Sequence, residues 1–380
     1  MCDVMINKNI DLRIAVIDAD LISRKRHRFP NLACMKISGY WKEKGAYVEL
    51  KEDYEYLEHY DKVYISKVFT DTEVPEHILE LENVEYGGTG FFFDKAPNLP
   101  DEIEHHMPDY HLYDDFVDRM IKSGVKKTEL KEYTDYSIGF LTRGCFRKCG
   151  FCVNKKYDRV FCHSPLDEFY DASRKKICLL DDNFLGQPNW KPMLQELIAT
   201  GKPFKFKQGL DERLLTDEKC EMLFNAKYDS QITFAFDKIE DYELIHEKLK
   251  MIRRHTDKQC VFYVLCGFDK NGVYDENFWR QDMIDTFERI KLIASYKCIP
   301  YIMRFEKWKE SPNRGMYITL ARWCNQPSMF KKNSILTYCR DVKSNGVGRS
   351  AHNYLMEFKD KYPDLYEKYC DMSWLTLNEE

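Results

Sequence analysis

Three cysteines within eight residues are the clearest candidates for chemistry in this 380-residue chain. Cys145, Cys149 and Cys152 follow one another with C-x3-C-x2-C spacing, on a glycine-containing loop that comes directly after a predicted strand. Thiolates are the ligands that proteins supply to iron–sulfur clusters. Three thiolates on a four-iron cluster leave one iron open, and an open iron can chelate an amino and a carboxylate group. The spacing therefore predicts a cluster with one reactive iron.

The same cysteines could instead form a zinc knuckle. Cys162 or His163 would then supply the fourth ligand, because structural zinc sites are tetrahedral and closed. Such a chain would be a zinc-stabilised nucleic-acid-binding protein. Zinc sites usually pair short C-x2-C knuckles, whereas here two unequal spacings occur with Phe151 directly before the third cysteine. These features favour the cluster.

The cysteine motif and its position after a strand resemble the radical S-adenosylmethionine superfamily. The resemblance implies that Cys145, Cys149 and Cys152 bind a [4Fe-4S] cluster, that S-adenosylmethionine binds at the open iron, and that the backbone of Phe151 lies against the adenine. It implies reductive cleavage of S-adenosylmethionine to a 5′-deoxyadenosyl radical that modifies an unidentified substrate. It also implies an electron donor of the flavodoxin or ferredoxin type.

A partial (β/α)6 barrel of the TIM type is predicted from residue 137 to residue 310. Short apolar segments alternate there with helical patterns, which is typical of parallel sheets with crossover helices. The predicted strands are residues 138–142, 176–180, 204–207, 231–236, 261–266 and 300–304.

Polar residues that follow these strands are candidates for binding S-adenosylmethionine, because reacting groups collect at the carboxyl ends of barrel strands. After the second strand, the run Asp181, Asp182, Asn183 resembles the D-D-N-F run of relatives with a cobalamin-binding type of domain, which implies contact with the methionine amino group. A helix N-cap by Asp182 or Asn183 is the alternative.

Four later strand ends provide further candidates. Gln208 and Arg213 follow the third strand and could bind the ribose or the methionine carboxylate, since the planar guanidinium donates two parallel hydrogen bonds. A surface pair of Asp211 with Arg213 is the alternative. The resemblance places Asp237 and Gly267 near the adenine. Arg304 could face the substrate or form an interdomain ion pair.

Residues 1–92 are predicted to form a Rossmann-like domain with a parallel sheet. Strands are predicted at 12–17, 47–50, 62–66 and 84–86, with a helix at 29–44 that Gly45 ends. The run FPNLACMKISGY at 29–40 resembles the cobalamin-binding domain of many radical S-adenosylmethionine enzymes, which leaves a cobalamin-dependent methyltransferase as an alternative function. Asp18-Ala19-Asp20 stands where the family's cobalamin signature would place a histidine. We therefore predict that cobalamin is not bound.

The loop after the first strand is basic, with Arg24 and Arg26 in the run RKRHR. Rossmann-like domains bind ligands at such strand ends, so these arginines could contact a phosphate-bearing substrate. A solvated loop is the alternative. His105, His106 and His111 lack a recognisable ligand spacing and are predicted to be linker histidines.

The composition is that of a soluble globular protein, with 44% hydrophobic and 32% charged residues. No apolar stretch is long enough to span a membrane, and the N-terminal residues do not resemble a signal peptide, so we expect a cytoplasmic protein. The fourteen cysteines should then be thiols or metal ligands, most of them buried. The net charge of −5 argues against a globally electrostatic grip on nucleic acid. Residues 93–136 are predicted to be a linker, and residues 311–380 a helical C-terminal region.

Overall fold

The computed structural model describes residues 12–340 and 345–378, without the side chains of residues 345–349. The ends of the predicted domains at residues 1 and 380 lie outside the described residues. The chain is a mixed α/β protein. Its strands are β1 Arg13–Asp18, β2 Tyr47–Lys51, β3 Lys62–Ser66, β4 Val84–Gly87, β5 Tyr136–Gly139, β6 Thr142–Arg143, β7 Phe161–Cys162, β8 Lys176–Leu179, β9 Phe204–Phe206, β10 Thr233–Ala235, β11 Val261–Cys266 and β12 Ile299–Arg304.

The helices are short in the first half of the chain and longer in the second half. They are α1 Ala19–Ser23, α2 Leu32–Glu43, α3 Glu76–Leu79, α4 Thr89–Phe92, α5 Asp101–Glu104, α6 Asp114–Lys122, α7 Lys131–Thr134, α8 Trp190–Ala199, α9 Asp217–Asn225, α10 Tyr242–His255, α11 Glu276–Ser295, α12 Arg314–Cys324, α13 Pro327–Phe330, α14 Ile335–Arg340, α15 Asn345–Lys361 and α16 Pro363–Tyr369. Among the described residues, no helix is both long and apolar enough to cross a membrane.

The described residues form two compact units. The first contains the residues up to Lys148 together with Cys152–Lys207, and the second contains Cys149–Phe151 together with the residues from Gln208 onward. The predicted domain boundaries at residues 92, 136 and 310 stay predictions.

The N-terminal sheet of the first unit is entirely parallel, with the strand order β2-β1-β3-β4. Each strand lies within one residue of its predicted bounds, which confirms the predicted Rossmann-like sheet. This order also begins the flavodoxin-like doubly wound sheets, whose ligands bind beyond the carboxyl ends of the strands.

Helix α2 packs on this sheet and is bounded by local signals. The Asn31 side-chain oxygen accepts hydrogen bonds from the backbone N–H groups of Ala33 (3.1 Å) and Cys34 (3.3 Å), which caps the first turn. Gly45 follows the helix with a φ of +82°, a conformation that favours glycine. The helix therefore begins three residues later than predicted, because Asn31 caps it.

The segment 93–136, predicted as a linker, belongs to the core of the first unit. Tyr110, Tyr113, Phe116 and Tyr133 are buried in the same hydrophobic cluster as Val16 of β1. The Tyr113 hydroxyl donates a 2.9 Å hydrogen bond to the buried carboxylate of Asp18. The apolar residues of this proline-containing segment therefore pack into the core of the first unit.

A second parallel sheet of the first unit has the order β5-β8-β9. The predicted strand at 138–142 was wrong at its end, because β5 stops at Gly139 and Thr142 starts the separate strand β6. The reason is that the backbone N–H groups of Leu141 and Thr142 bond the side chain of Asp181. Strand β6 then pairs antiparallel with β7.

The second unit has a parallel sheet of order β10-β11-β12, and Leu210 forms an isolated parallel bridge to Phe234 in β10. All six predicted barrel strands therefore form, three in each unit. The predicted helical C-terminal region is confirmed by α12 to α16.

Candidate functional site

The cysteine loop begins at a glycine that no other residue could replace without displacing backbone. Gly144 has a φ of +86°, and an added Cβ atom would lie 2.2 Å from the carbonyl oxygen of Arg159. This close approach turns the chain directly before Cys145. Glycine is therefore required at this position by both conformation and space.

Two cysteine sulfurs of the first unit accept hydrogen bonds. Cys145 Sγ accepts from the backbone N–H of Arg147 at 3.4 Å and from Asn183 Nδ2 at 3.4 Å. Cys152 Sγ accepts from the backbone N–H of Asn154 at 3.3 Å. Donors aimed at sulfur stabilise the thiolate, which is the form that binds metal.

The cysteines of this loop differ in exposure from the other cysteines. Cys145, Cys149 and Cys152 are partly exposed and Cys162 is exposed, whereas the remaining nine described cysteines are buried. The prediction that most cysteines are buried is confirmed. The loop thus presents its thiols where a cofactor can reach them.

Asp181 fixes the chain on the way into the loop. Its buried carboxylate accepts hydrogen bonds from Leu141 N (3.2 Å), Thr142 N (2.7 Å) and Thr142 Oγ1 (2.6 Å). Burial raises its pKa to about 7, and these hydrogen bonds oppose that shift. Asp181 thus positions the cysteine loop from a neighbouring strand end.

Asp182 fixes the loop on both sides of the cysteines. Its Oδ2 accepts from Gly144 N at 2.7 Å and its Oδ1 accepts from Asn154 Nδ2 at 2.7 Å. Burial raises the pKa of Asp182, while the charge of Arg143 and the Gly144 N–H lower it. Asn183 precedes a 3₁₀ turn but its side chain makes no capping bond there. The structure therefore places Asp181, Asp182 and Asn183 around the cysteine loop. A role as helix N-cap would not account for these contacts with the loop.

Asp181→Asn is expected to lower the free energy of unfolding by about 1–3 kcal/mol at pH 8. The amide would turn an NH2 group toward a backbone N–H that now donates to a carboxylate oxygen. Thr142→Val is the control, because it removes only the hydroxyl bond, and should cost about 1 kcal/mol. Urea denaturation measures both, and a smaller loss for Asp181→Asn than for the control would contradict this role.

The two candidate fourth zinc ligands lie on or beside β7. Cys162 pairs with Thr142 in the short antiparallel sheet. The His163 ring stacks on His105 at 5.1 Å and bonds Ser164 Oγ at 3.0 Å. Among the described residues, no group of three or more His, Cys, Asp or Glu side chains is arranged to hold a single metal ion.

The linker histidines each contact a different carboxylate. His105 pairs with Glu168 at 2.7 Å, His106 with Glu43 at 2.9 Å and His111 with Asp114 at 2.8 Å. Each of these three imidazoles therefore has its own carboxylate partner among the described residues.

His163 gives the first unit a pH-dependent stability. Burial lowers its pKa to about 4, so the unfolded chain binds a proton between about pH 6.5 and pH 4 that the folded protein does not. Stability is then full above pH 6.5 and is lost as the pH falls. Between pH 7 and pH 5 we expect His163→Gln to lose about 2 kcal/mol less than the parent protein. Urea titrations test this, with the exposed His59→Gln as control; parallel losses in all three proteins would refute it.

A cavity of about 660 Å³ lies in the first unit beside the cysteine loop. One side is formed by residues at the carboxyl ends of β3 and β4, including Ser66 and Gly87, and another by Arg143, Asn154 and Asp182. Cavities of this volume hold drug-sized ligands. The cavity is therefore a candidate ligand site next to Arg143 and Asn154, which flank the cysteines.

Phe151 lies in the second unit against an aromatic side chain. Its ring meets that of Phe268 edge to face, with 5.4 Å between centroids. A Cβ atom on Gly150 would lie 2.7 Å from the same Phe268 ring. Its predicted role toward adenine stays a prediction.

The candidates after β9 differ in their contacts. Gln208 is exposed. The guanidinium of Arg213 donates to Asp211 Oδ1 (2.7 Å) and to Asp241 Oδ2 (3.0 Å). The structure thus shows the carboxylate pair that was the alternative for Arg213, extended by a second carboxylate.

Asp237 and Gly267 come shortly after the strands β10 and β11 of the second unit. Asp237 Oδ1 accepts from Leu265 N at 3.3 Å, and burial raises its pKa to about 6 against the opposing charge of Arg289. Gly267 has a φ of +75° and donates its N–H to the buried Asp282 at 2.9 Å. Asp237 and Gly267 therefore both take part in hydrogen bonds next to the ends of these strands.

Three arginines were predicted to face a substrate. Arg304 is exposed and stacks on Trp308 at 4.1 Å, beside a smaller cavity of about 370 Å³. Arg24 donates to Thr72 Oγ1 at 3.2 Å, pairs with Asp71 and lies over Phe69. Arg26 is exposed. The charge of Arg24 is therefore satisfied within the protein.

Sequence reasoning missed residues whose partners are distant in the chain. Glu212 is buried, accepts from Ala235 N at 3.0 Å, and has a pKa that burial raises to about 8. Arg289 is buried on α11 and donates to four backbone carbonyls. Arg143 and Asn154 flank the cysteines, and only their position beside the motif could have drawn attention to them.

Comparison with known proteins gives one structural likeness. The chain matches no protein-family model and no curated protein sequence. Among solved structures it is similar to the cobalamin-dependent S-adenosylmethionine radical enzyme OxsB with aqua-cobalamin and S-adenosylmethionine bound, with 15% identity and a TM-score of 0.36. The match covers 97% of this chain and 58% of that one, so the chain spans little more than half of that protein's length.

Proposed function

We propose that this protein is a radical S-adenosylmethionine enzyme that modifies an as yet unidentified substrate. The observation that carries the proposal is the C-x3-C-x2-C loop, whose ends are fastened by Asp181 and Asp182 from the next strand end. A chain folded only for stability has no need to leave the three thiols of this loop partly exposed. The donor set suits a cluster, since three soft thiolates stand on one short loop.

The residues around the loop have separable roles in this proposal. Cys145, Cys149 and Cys152 would hold the [4Fe-4S] cluster. The Asn183 amide and the Asn154 backbone N–H donate to Cys145 and Cys152, and such bonds tune the charge and potential of a cluster. Asp182 keeps the Gly144 turn and Asn154 in register across the loop.

The bound cofactors would supply the difficult step, reductive cleavage of S-adenosylmethionine to a 5′-deoxyadenosyl radical. The electron would come from a flavodoxin or ferredoxin type of donor. The chain itself would bind and orient the reactants. Asp237, Gly267, Gln208 and Phe151 stay candidates for S-adenosylmethionine contacts.

Anaerobic reconstitution of the full chain with iron and sulfide tests the proposal. We expect about four irons and four acid-labile sulfides per chain, and 5′-deoxyadenosine on addition of dithionite and S-adenosylmethionine. Stoichiometric zinc without iron or sulfide would instead indicate the zinc-stabilised nucleic-acid-binding protein. Reconstituted protein that binds iron but forms no 5′-deoxyadenosine would reject the radical function.

A second candidate is a cobalamin-dependent radical methyltransferase. The observation that favours it is the cavity at the carboxyl edge of the N-terminal sheet, where doubly wound sheets bind ligands. Against it, Asp18 and Asp20 in the first loop are turned into internal hydrogen bonds with Tyr113 and Val68. Purification with hydroxocobalamin decides: a retained corrin spectrum and S-adenosylhomocysteine formation would establish it.

A further inference from the structure

Among the described residues, the guanidinium group of Arg143 in the cavity of the first unit forms neither an ion pair nor a hydrogen bond. Arg143 lines the cavity two residues before Cys145 and lies over the Phe140 ring at 4.1 Å. Within the described part of the chain, no carboxylate lies within 4.0 Å of it and its guanidinium donates no hydrogen bond. Burial raises the pKa of Asp182, and the charge of Arg143 lowers it. Both carboxylate oxygens of Asp182, however, already accept hydrogen bonds, one from Gly144 N and one from Asn154 Nδ2.

The other cations that line this cavity are committed to protein partners. Lys36 bonds Glu104 at 3.1 Å and Lys62 bonds Glu85 at 2.9 Å. Lys156 donates to Ala96 O at 3.1 Å and to Asn98 Oδ1 at 2.7 Å. Arg143 differs from all three, since its five N–H donors remain available to a ligand.

The remaining lining of the cavity includes aromatic side chains. Tyr64 and Tyr86 come from β3 and β4, Trp41 comes from α2, and Phe93 and Tyr157 come from flanking loops. Aromatic rings cover flat apolar groups at low entropic cost. A planar guanidinium, in contrast, matches carboxylate or phosphate oxygens bidentately.

We propose that this cavity is the substrate site and that Arg143 binds a carboxylate or phosphate of a substrate with a flat, largely apolar body. The inference rests on the proposed function, since it names that enzyme's substrate class. Arg143 lies on the same wall as Asn154 and Asp182, which hold the cysteine loop. An anion held there brings the substrate beside that loop.

A matched pair of fluorescent probes tests the inference in the cluster-free full chain. Anilinonaphthalene sulfonate has a flat body with an anionic group, and phenylnaphthylamine has the same body without the charge. We expect both to bind, and Arg143→Gln to weaken binding of the sulfonate about ten-fold or more while leaving the neutral probe unchanged. Equal weakening of both probes would overturn the inference, because it would show a structural role only.

Three further variants locate the effect. Lys62→Gln removes a committed cavity cation and should weaken the sulfonate less than Arg143→Gln does. Gly87 lines the cavity and an added Cβ atom would meet nothing within 4 Å, so Gly87→Phe should weaken both probes by filling space. Unchanged binding in Gly87→Phe would place the probes elsewhere and overturn the inference. Arg143→Lys keeps the charge without the planar fork and should give an intermediate sulfonate affinity with an unchanged melting temperature.

Displacement of the sulfonate probe distinguishes the two anions. Stronger competition by naphthyl phosphate than by naphthoate would assign a phosphate-bearing substrate, and the reverse order a carboxylate. Displacement of both probes by hydroxocobalamin with a retained corrin spectrum would overturn the inference in favour of cobalamin. These readouts need no cluster, so failure to reconstitute iron rejects the proposed function while leaving the probe results standing.

Discussion

Cys149→Ala should abolish retention of the reconstituted cluster, whereas Cys162→Ala should leave it intact. Cys149 is the central thiol of the motif, and a cluster with two remaining thiolates has two irons without protein ligands. Cys162 is a suitable control, since it is exposed and lies on β7, outside the C-x3-C-x2-C loop. Each variant removes one thiol that is at least partly exposed.

Iron, zinc and acid-labile sulfide per chain, together with the visible spectrum, measure the effect after anaerobic reconstitution. In Cys149→Ala we expect iron and 5′-deoxyadenosine to fall to background. A Cys162→Ala variant that lost zinc, with iron low in every protein, would favour the zinc knuckle. Iron content unchanged in Cys149→Ala would reject the assigned ligand set.

Arg289→Met is expected to lower the free energy of unfolding by about 3–5 kcal/mol. One nitrogen of this buried guanidinium donates to the carbonyl oxygens of Phe236 (3.1 Å), Asp237 (2.8 Å) and Leu265 (2.9 Å). Methionine fills similar volume but leaves three buried acceptors without this donor. It also removes the charge that faces the buried carboxyl groups of Asp237 and Asp282.

Arg280→Met on the same helix is the control for Arg289→Met. Arg280 is 42% exposed and pairs with the exposed Asp364, and exposed ion pairs contribute no more than about 1 kcal/mol. Urea denaturation followed by fluorescence compares the two variants. Equal destabilisation would show that the Arg289 hydrogen bonds do not hold the ends of β10 and β11 together.

Structural features that depend on residues close together in the chain could be predicted from the sequence. The strands of the N-terminal sheet follow from short apolar runs, and α2 follows from the helical spacing of Ile37, Tyr40 and Trp41 with Gly45 as its stop. The cysteine motif is visible for the same reason, because its ligands lie within one loop. Arg213 shows the limit of prediction from sequence, because a guanidinium group at a strand end can bind either a ligand or a carboxylate of the protein itself.

The sequence by itself determined the α/β alternation, the spacing of three thiols and the glycine turn before them. Only the tertiary structure decided that residues 93–136 complete a core, that Asp181 bonds a segment about forty residues earlier, and that Arg143 alone among the named cavity cations lacks a protein partner. The physical reason is that periodicity and turn chemistry act over a few residues. Hydrogen-bond satisfaction and charge pairing depend instead on which distant segments the fold brings together.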